Sequence, residues 1–458
     1  MTVDYGGLCM QIRVNYIVIL LIGLAITGNA FAANPMAARQ KLTLQHAIRI
    51  ALERSPYLQA IESERDAGQT YRDEAKGYRL PQVDVSEIYL RTNSPADVFG
   101  LQLNQETFSM ADFAMTDANH PAPIDDYVTQ VQIAQPLYMG GKIKHGILAG
   151  ENMAEASDKK LDRARQDVTF QTTKAYLNVL LAKRYVKLMD SVVSTVEKHV
   201  ANAQAYFDTG FIMEADLLQA KVFLGQMQQL QITAGNNARL AMAFLANVMG
   251  VDQSLDYELT DSFTYQRKPY KLDELLQFGL NNRPDLKEMQ LKVAAAKENI
   301  AMEQSGYKPK VFLVGQLNYH DSSFANFDGD SFKLMAVAKF NLFNGKRTHA
   351  KVRRAKSRYE SYHSYLNQME NGIRLQIKQA LFRLQEAEQR YKIATLSLKQ
   401  ANENVKLREE RYKKGVEKTT DLLDADTALQ QAATNQLHAL FDCLKAERNL
   451  NYMIGKNQ

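Results

Sequence analysis

Apolar residues between Lys346 and Tyr412 fall at Leu366, Met369, Ile373, Ile377, Ala380, Leu384, Ala387, Tyr391, Ala394, Leu398, Ala401 and Val405, in steps that mostly alternate three and four. That spacing predicts one helix with a coiled-coil seam, and its many alanines allow neighbouring helices to come close. The stretch has no proline and a single glycine, Gly372, so at ~1.5 Å per residue it would run on the order of 100 Å, several times the width of a globular core. Leu375, Leu381, Ile393 and Leu396 lie off the seam, which predicts neighbours on two sides.

Elsewhere the period drops to two. Val311, Leu313, Leu317 and Tyr319 alternate with Phe312, Val314, Gln316 and Asn318, and Tyr127, Thr129, Val131 and Ile133 alternate with Val128, Gln130, Gln132 and Ala134. Such alternation predicts strands with one wetter face. Two further strands are expected at 82–91, where Glu87 interrupts one apolar face, and at 332–340, where Lys333 and Lys339 separate from Leu334, Ala336, Ala338 and Phe340. Polar, turn-rich loops are expected at 92–126 and 321–331. Strands of this kind carry the weak signature of an outer-membrane barrel. Four cannot close one, because open edges would leave backbone groups unpaired in hydrocarbon, so closure requires other copies of the chain.

The plan occurs twice. Phe207, Gly210, Asp216 and Ala220 recur at one constant displacement as Tyr412, Gly415, Asp421 and Ala425, each set including Asp-Leu-Leu-x-Ala. Constant spacing over such a length points to internal duplication. Each copy reads as a helix, a reversal at a glycine able to take positive φ, and a second helix whose start the following Thr and Asp residues can cap. Upstream, the amphipathic helix at 42–52 and Pro56 correspond to the helix at 272–280 and Pro284. The joins at 77–81 and 306–309, and the glycine turns at 135–142 and 341–346, correspond as well. The expected division is 33–265 for the first repeat and 266–458 for the second.

The N-terminus adds an address. Arg13 precedes an apolar run from Tyr16 to Thr27, and Ala30-Phe31-Ala32 supplies a small-x-small cleavage site, so residues 1–32 read as a signal peptide whose translation starts at Met1 or Met10. The run is shorter than the ~20 residues a membrane-spanning helix needs. At 458 residues the chain exceeds a single core, and its net charge of +5 gives no nucleic-acid footprint. Cys9 and Cys443 are too few for a disulfide framework. The eight histidines include no HExxH or close ligand pair, and the seventeen methionines include no clustered motif, so no metal or other cofactor is expected. The absence of a GxSxG, P-loop, dinucleotide fingerprint or Cys/His dyad argues against an enzyme.

The duplicated helix–strand–strand–long helix plan, the Gln-Pro-Leu-Tyr-Met-Gly-Gly turn and the tip pattern Gly-x5-Asp-Leu-Leu-x-Ala resemble the TolC family of outer membrane efflux proteins, over residues 42–455. Residues 98–108 resemble one subset of it. The resemblance implies an α+β membrane protein: a homotrimer whose four strands per chain make a twelve-stranded outer-membrane barrel, continuing into a long periplasmic α-helical barrel. It implies passive conduction in a Gram-negative bacterium, as the exit duct of a tripartite pump or type I secretion system. The partners it implies are outer-membrane lipid, a periplasmic adaptor and an inner-membrane transporter. The tip residues Thr209, Gly210, Phe211, Lys414, Gly415 and Val416 would meet the adaptor.

Asp421 and Asp424 share a helix face and occupy positions where the family has acids lining the periplasmic constriction; Asp216 is the first-half counterpart, but Gln219 replaces its second acid. Read from spacing alone, Asp421 serves the helix N-terminus and Asp424 is solvated. Where some members carry a basic latch residue two after the second-tip glycine, this chain has Glu417 followed by Lys418. A periplasmic adaptor or a fibrous coiled-coil protein is the alternative reading. An adaptor should have one hairpin and a small β-rich region, and a fibre should have no strands.

Overall fold

The computed structural model describes residues 40–111, 117–254, 256–262, 264–324 and 326–456; the expected signal peptide, with Cys9 and Met10, lies outside them. Helix α1 (Leu44–Arg54) starts where Thr43 Oγ1 accepts the His46 N–H at 3.2 Å, and stops before Pro56, which opens α2 (Pro56–Gly77). Proline suits that first position because its fixed φ fits a helix and its missing N–H would have no partner there. The pattern returns in α6 (Leu272–Asn282) and α7 (Pro284–Gln304).

Four strands, β2 (Gln82–Thr92), β3 (Ile124–Tyr138), β5 (Lys310–Asp321) and β6 (Gly329–Lys339), form one antiparallel sheet in the order β2-β3-β5-β6. The register puts Val85, Val131, Leu317 and Phe332 in one row, and Ser86, Gln130, Asn318 and Ser331 in the next. Successive rows face opposite ways, so one face is apolar and the other carries polar rungs. Gln130 Nε2 donates to Asn318 Oδ1 and Gln316 Nε2 to Gln132 Oε1, each at 2.8 Å. Glu87 lies on the apolar face, where the Thr129 hydroxyl donates to it. Its row also holds Tyr319 and Asp330 and adjoins the Tyr89–Tyr127 ring pair, so the apolar band ends there.

The segment expected to be an irregular loop contains α3 (Pro95–Asn104). Val98 and Leu101 are buried, and Gln105 Nε2 donates to Asp126 Oδ1 at 2.9 Å and to the Asp125 carbonyl at 2.8 Å. Asp126 is fully buried and also meets His320 Nδ1 at 3.0 Å. Gly329 permits this packing, since a Cβ there would lie 1.8 Å from the Asn104 carbonyl oxygen. Tertiary contact therefore fixes a helix that buries only Val98 and Leu101 and leaves Phe99 and Leu103 exposed.

Each half then enters a long helical hairpin: α4 (Lys142–Asp208) with α5 (Glu214–Met249), and α8 (Arg347–Lys413) with α9 (Thr419–Met453). Both α4 and α8 are 67 residues long. The predicted seam of α8 is the buried one, with Ile373, Ile377, Ala380, Leu384, Ala387 and Val405 inside. Leu381 is buried too, whereas Leu375, Ile393 and Leu396 are exposed. Helix α4 packs on both α5 and α9, and α9 packs on α8, so α5 and α8 form the flanks of the wall. Helices α1 and α6 pack level with the middle of α4 and α8, and α2 and α7 run from there toward the sheet, where Lys76 meets Glu151 and His145 meets Glu298. Tyr176 and Phe441 are wholly buried in the first core, and Leu286, Ile373 and Ile377 in the second, each side chain contributing about 1.5–3 kcal/mol of apolar burial. The short strands β1 (Gln40–Leu42) and β4 (Tyr257–Leu259) pair beside the first core, where the Tyr176 hydroxyl donates to the Leu42 carbonyl at 2.8 Å. No helix among the described residues is long and apolar enough to cross a membrane.

Candidate functional site at the hairpin tips

Both hairpins reverse through the same backbone geometry. Gly210 has φ 71° and its N–H donates to Phe207, while Phe211 N–H reaches Tyr206 at 2.8 Å; Gly415 has φ 72° and donates to Tyr412, while Val416 N–H reaches Arg411 at 3.0 Å. This pair of bonds closes a helix through a left-handed residue, satisfying carbonyls that would otherwise lack partners. Thr209, Phe211, Lys414 and Val416 project around the reversals and are exposed. The two tips meet, because the Phe211 ring covers Gly415, Tyr206 packs between Phe211 and Tyr412 at 5.6 and 5.7 Å, and a cleft of about 570 Å³ lies between them.

Of the expected caps, the Asp at the first tip serves its helix start and the Thr at the second does not. Helix α5 begins after Met213, whose N–H is accepted by Asp216 Oδ2 at 3.4 Å, and α9 begins after Lys418 with no side-chain cap. Thr419 turns inward instead, facing the Tyr412 hydroxyl at 3.3 Å. Asp421 is half-buried in the first turn of α9, where the positive end of the helix dipole favours a carboxylate. Asp424 is exposed one turn on, and neither side chain has a hydrogen-bond or ion-pair partner among the described residues.

Glu417 and Lys418 part ways. Glu417 is 5% exposed and held within its own hairpin by Arg408 and by Arg411 Nε, the latter at 2.7 Å, whereas Lys418 is exposed. The sequence reading overlooked both arginines, although two arginines three apart before a turn followed by an acid form a recognisable local signal. It also passed over His199 on α4, which faces Asp426 on α9 at 3.1 Å and Glu409 on α8 at 3.8 Å. Asp426 raises the His199 pKa above its ordinary value; burial works the other way, Glu409 adds to the rise and Lys413 subtracts from it. These partners sit on three helices far apart in sequence, so no local pattern marks them.

A sheet apolar on one face and polar on the other, running into long paired helices with open flanks, is built as a segment of a channel wall. The outer membrane efflux protein family matches residues 47–251 and 275–456, and the chain belongs to that family. It is 22% identical to the alkaline protease secretion protein AprF of Pseudomonas aeruginosa, covering 89% of this chain and 83% of that one. It is 21% identical to outer membrane protein TolC of Salmonella enteritidis, over 95% and 85% of the two chains. Among solved structures, the outer membrane protein VceC of Vibrio cholerae superposes with a TM-score of 0.75 at 16% identity, covering 90% of this chain and 96% of that one. The protein is thus an outer-membrane export channel with a large periplasmic helical part.

Proposed function

We propose that three copies of this chain close into one duct, the four-stranded sheets joining edge to edge as a twelve-stranded barrel and the hairpins as a helical barrel below it. The observation that carries this reading is that both flanks are open. Strands β2 and β6 are the sheet edges, and the flanking helices bear exposed apolar residues: Leu218, Val222 and Phe244 on α5, and Leu375, Phe382 and Ile393 on α8. Joining a β6 edge to the next copy's β2 edge satisfies the backbone in hydrocarbon and brings α8 against the next α5. The apolar sheet face then meets lipid, and the polar rungs meet the lumen. The two halves, 33–265 and 266–458, are read as products of one duplication.

In this arrangement the tips form the inner, periplasmic end, and substrates enter there from an adaptor and an inner-membrane transporter that supplies the energy. The exposed groups at Thr209, Gly210, Phe211, Lys414, Gly415 and Val416 make the adaptor contact. Asp421 and Asp424 of three chains form rings at the constriction, with Asp216 nearby, and attract cations. Their lack of side-chain partners among the described residues supports this role. Glu417 braces its own tip, which leaves Lys418 as the free latch candidate.

Detergent extraction should yield a trimer, and a soluble monomer would reject the duct. In planar bilayers, replacing both Asp421 and Asp424 by Ala should weaken cation selectivity and relieve block by multivalent cations added from the tip side. Unchanged currents together with reduced thermal stability would assign these aspartates to the helix start.

A further inference from the structure

Where the sheet passes into the long helices, positive charge collects without compensation. Lys310 and Lys339 stand directly opposite each other on neighbouring strands, on the same face as the Gln316 rung. With Lys142, Lys308, Arg347 and Lys351 they line a cleft of about 500 Å³ whose one acidic lining residue is Glu303. None of the five lysines has an ion-pair partner among the described residues, and Arg347 Nε donates only to the Asn344 carbonyl, at 3.0 Å. Helices α4 and α8 both begin here, after Gly141 and Lys346; neither N-cap side chain makes a capping bond, and at α8 Asn344 Oδ1 accepts the Thr348 N–H at 3.5 Å.

Each of these features is electrostatically unfavourable on its own. Like charges directly opposite in a sheet repel, and cations in a helix's first turn oppose its dipole. Their coincidence in one cleft has no account in folding, whereas an anion seated there would offset all of them, held by lysine ammonium groups and a guanidinium. We propose that this cleft binds a multiply charged oxyanion of phosphate type from the duct's interior, three clefts making a basic belt at the junction of barrel and helices. The position inside the duct rests on the reading of the polar sheet face as the lumen; the binding itself does not.

The test uses the full-length detergent-solubilised protein and tripolyphosphate as the probe, titrated by calorimetry. The Lys310→Gln/Lys339→Gln variant should lose affinity by about tenfold or more, since two charge-assisted contacts are removed. The Lys310→Arg/Lys339→Arg variant should retain affinity, and added salt should weaken binding to the wild type. Thermal melts beforehand establish that the variants fold. Equal affinity in the wild type and the Gln variant, or no binding to the wild type, overturns the proposal. A second arm follows retention of phosphatidylglycerol by native mass spectrometry. Lipid lost from the Gln variant, with tripolyphosphate affinity unchanged, would give the site to a membrane headgroup and overturn its place in the duct. Because no current is measured, a failure of the duct reading in bilayers would register separately.

Discussion

At the first tip Ile212 follows Gly210 by two residues and packs over the apolar cluster of Ala203, Leu217 and Ala220; at the second tip the matching residue is Glu417, and it is clasped by Arg408 and Arg411. Ala203 and Tyr206 occupy in the first hairpin the places that Arg408 and Arg411 occupy in the second. The reversal is therefore common to both tips, while the force that fixes it changes from apolar burial to charge. Apolar contact is insensitive to ionic strength, whereas ion pairs with exposed partners are screened. The second tip, which also carries Asp421 and Asp424, is the one that solution conditions can loosen.

The comparison is broken most severely at its glycines. Gly210 has open space where a Cβ would go, so Gly210→Ala should cost only the left-handed backbone penalty, about 1–2 kcal/mol. A Cβ at Gly415 would lie 2.6 Å from Phe211 Cζ, so Gly415→Ala should add about 1–3 kcal/mol for displacing the ring that joins the tips. Amide exchange over both hairpin ends measures this, and equal effects at the two glycines would mean that the Phe211 cover contributes nothing.

Salt separates the two tips next. Glu417→Ala should cost about 1–2 kcal/mol at low salt, less than a fully buried pair, because Arg408 and Arg411 are 38% and 61% exposed and return to water. Ile212→Ala should cost a similar ~1–2 kcal/mol from lost burial. At about 1 M salt the first penalty should shrink and the second persist. Parallel salt dependence in urea or thermal unfolding would erase the distinction.

The sequence made the repeating parts legible and missed those set by single distant contacts. The buried seam of α8 and the alternation of the strands follow from periods carried by many residues, which no one neighbour can overrule. Helix α3 buries only Val98 and Leu101 of its four large apolar residues and depends on Asp126 and Gly329 far along the chain. Thr419 looked like a helix cap because of its place after a glycine, but the Tyr412 hydroxyl draws it inward. Leu375, Ile393 and Leu396 are exposed although a second neighbour was expected for them, and the face they occupy belongs to a flank of the wall. At the tips the duplication located both reversals, and the chemistry of Glu417 required knowing which way its side chain turns.

The smallest expected effect lies just behind the tips and tests whether charge also ties one hairpin to the other. The His199 side chain on the first hairpin is 12% exposed, and its Nε2 lies 3.1 Å from Asp426 Oδ2 on the second, neither atom having another hydrogen-bond partner among the described residues. Glu409 and Lys413, both on α8, complete its charged surroundings. Asp426 favours the protonated imidazole and raises its pKa above the ordinary 6.5. The pair's stabilisation is therefore fully present below the unfolded value and is lost as pH rises through the raised folded value. As pH rises from below 6.5 through the raised folded value, protection of the amides near Asp426, taken relative to their intrinsic exchange at each pH, should fall in the wild type, while His199→Asn, which cannot take the proton, should remove that fall. The cluster around Ile212 contains no titrating group, and its protection should stay unchanged in both. A variant that keeps the wild-type pH profile would show that His199 is packing alone, and would leave the tip ends of the hairpins joined by apolar and aromatic contact, through Leu423, the Tyr206–Tyr412 pair and the ring of Phe211 over Gly415.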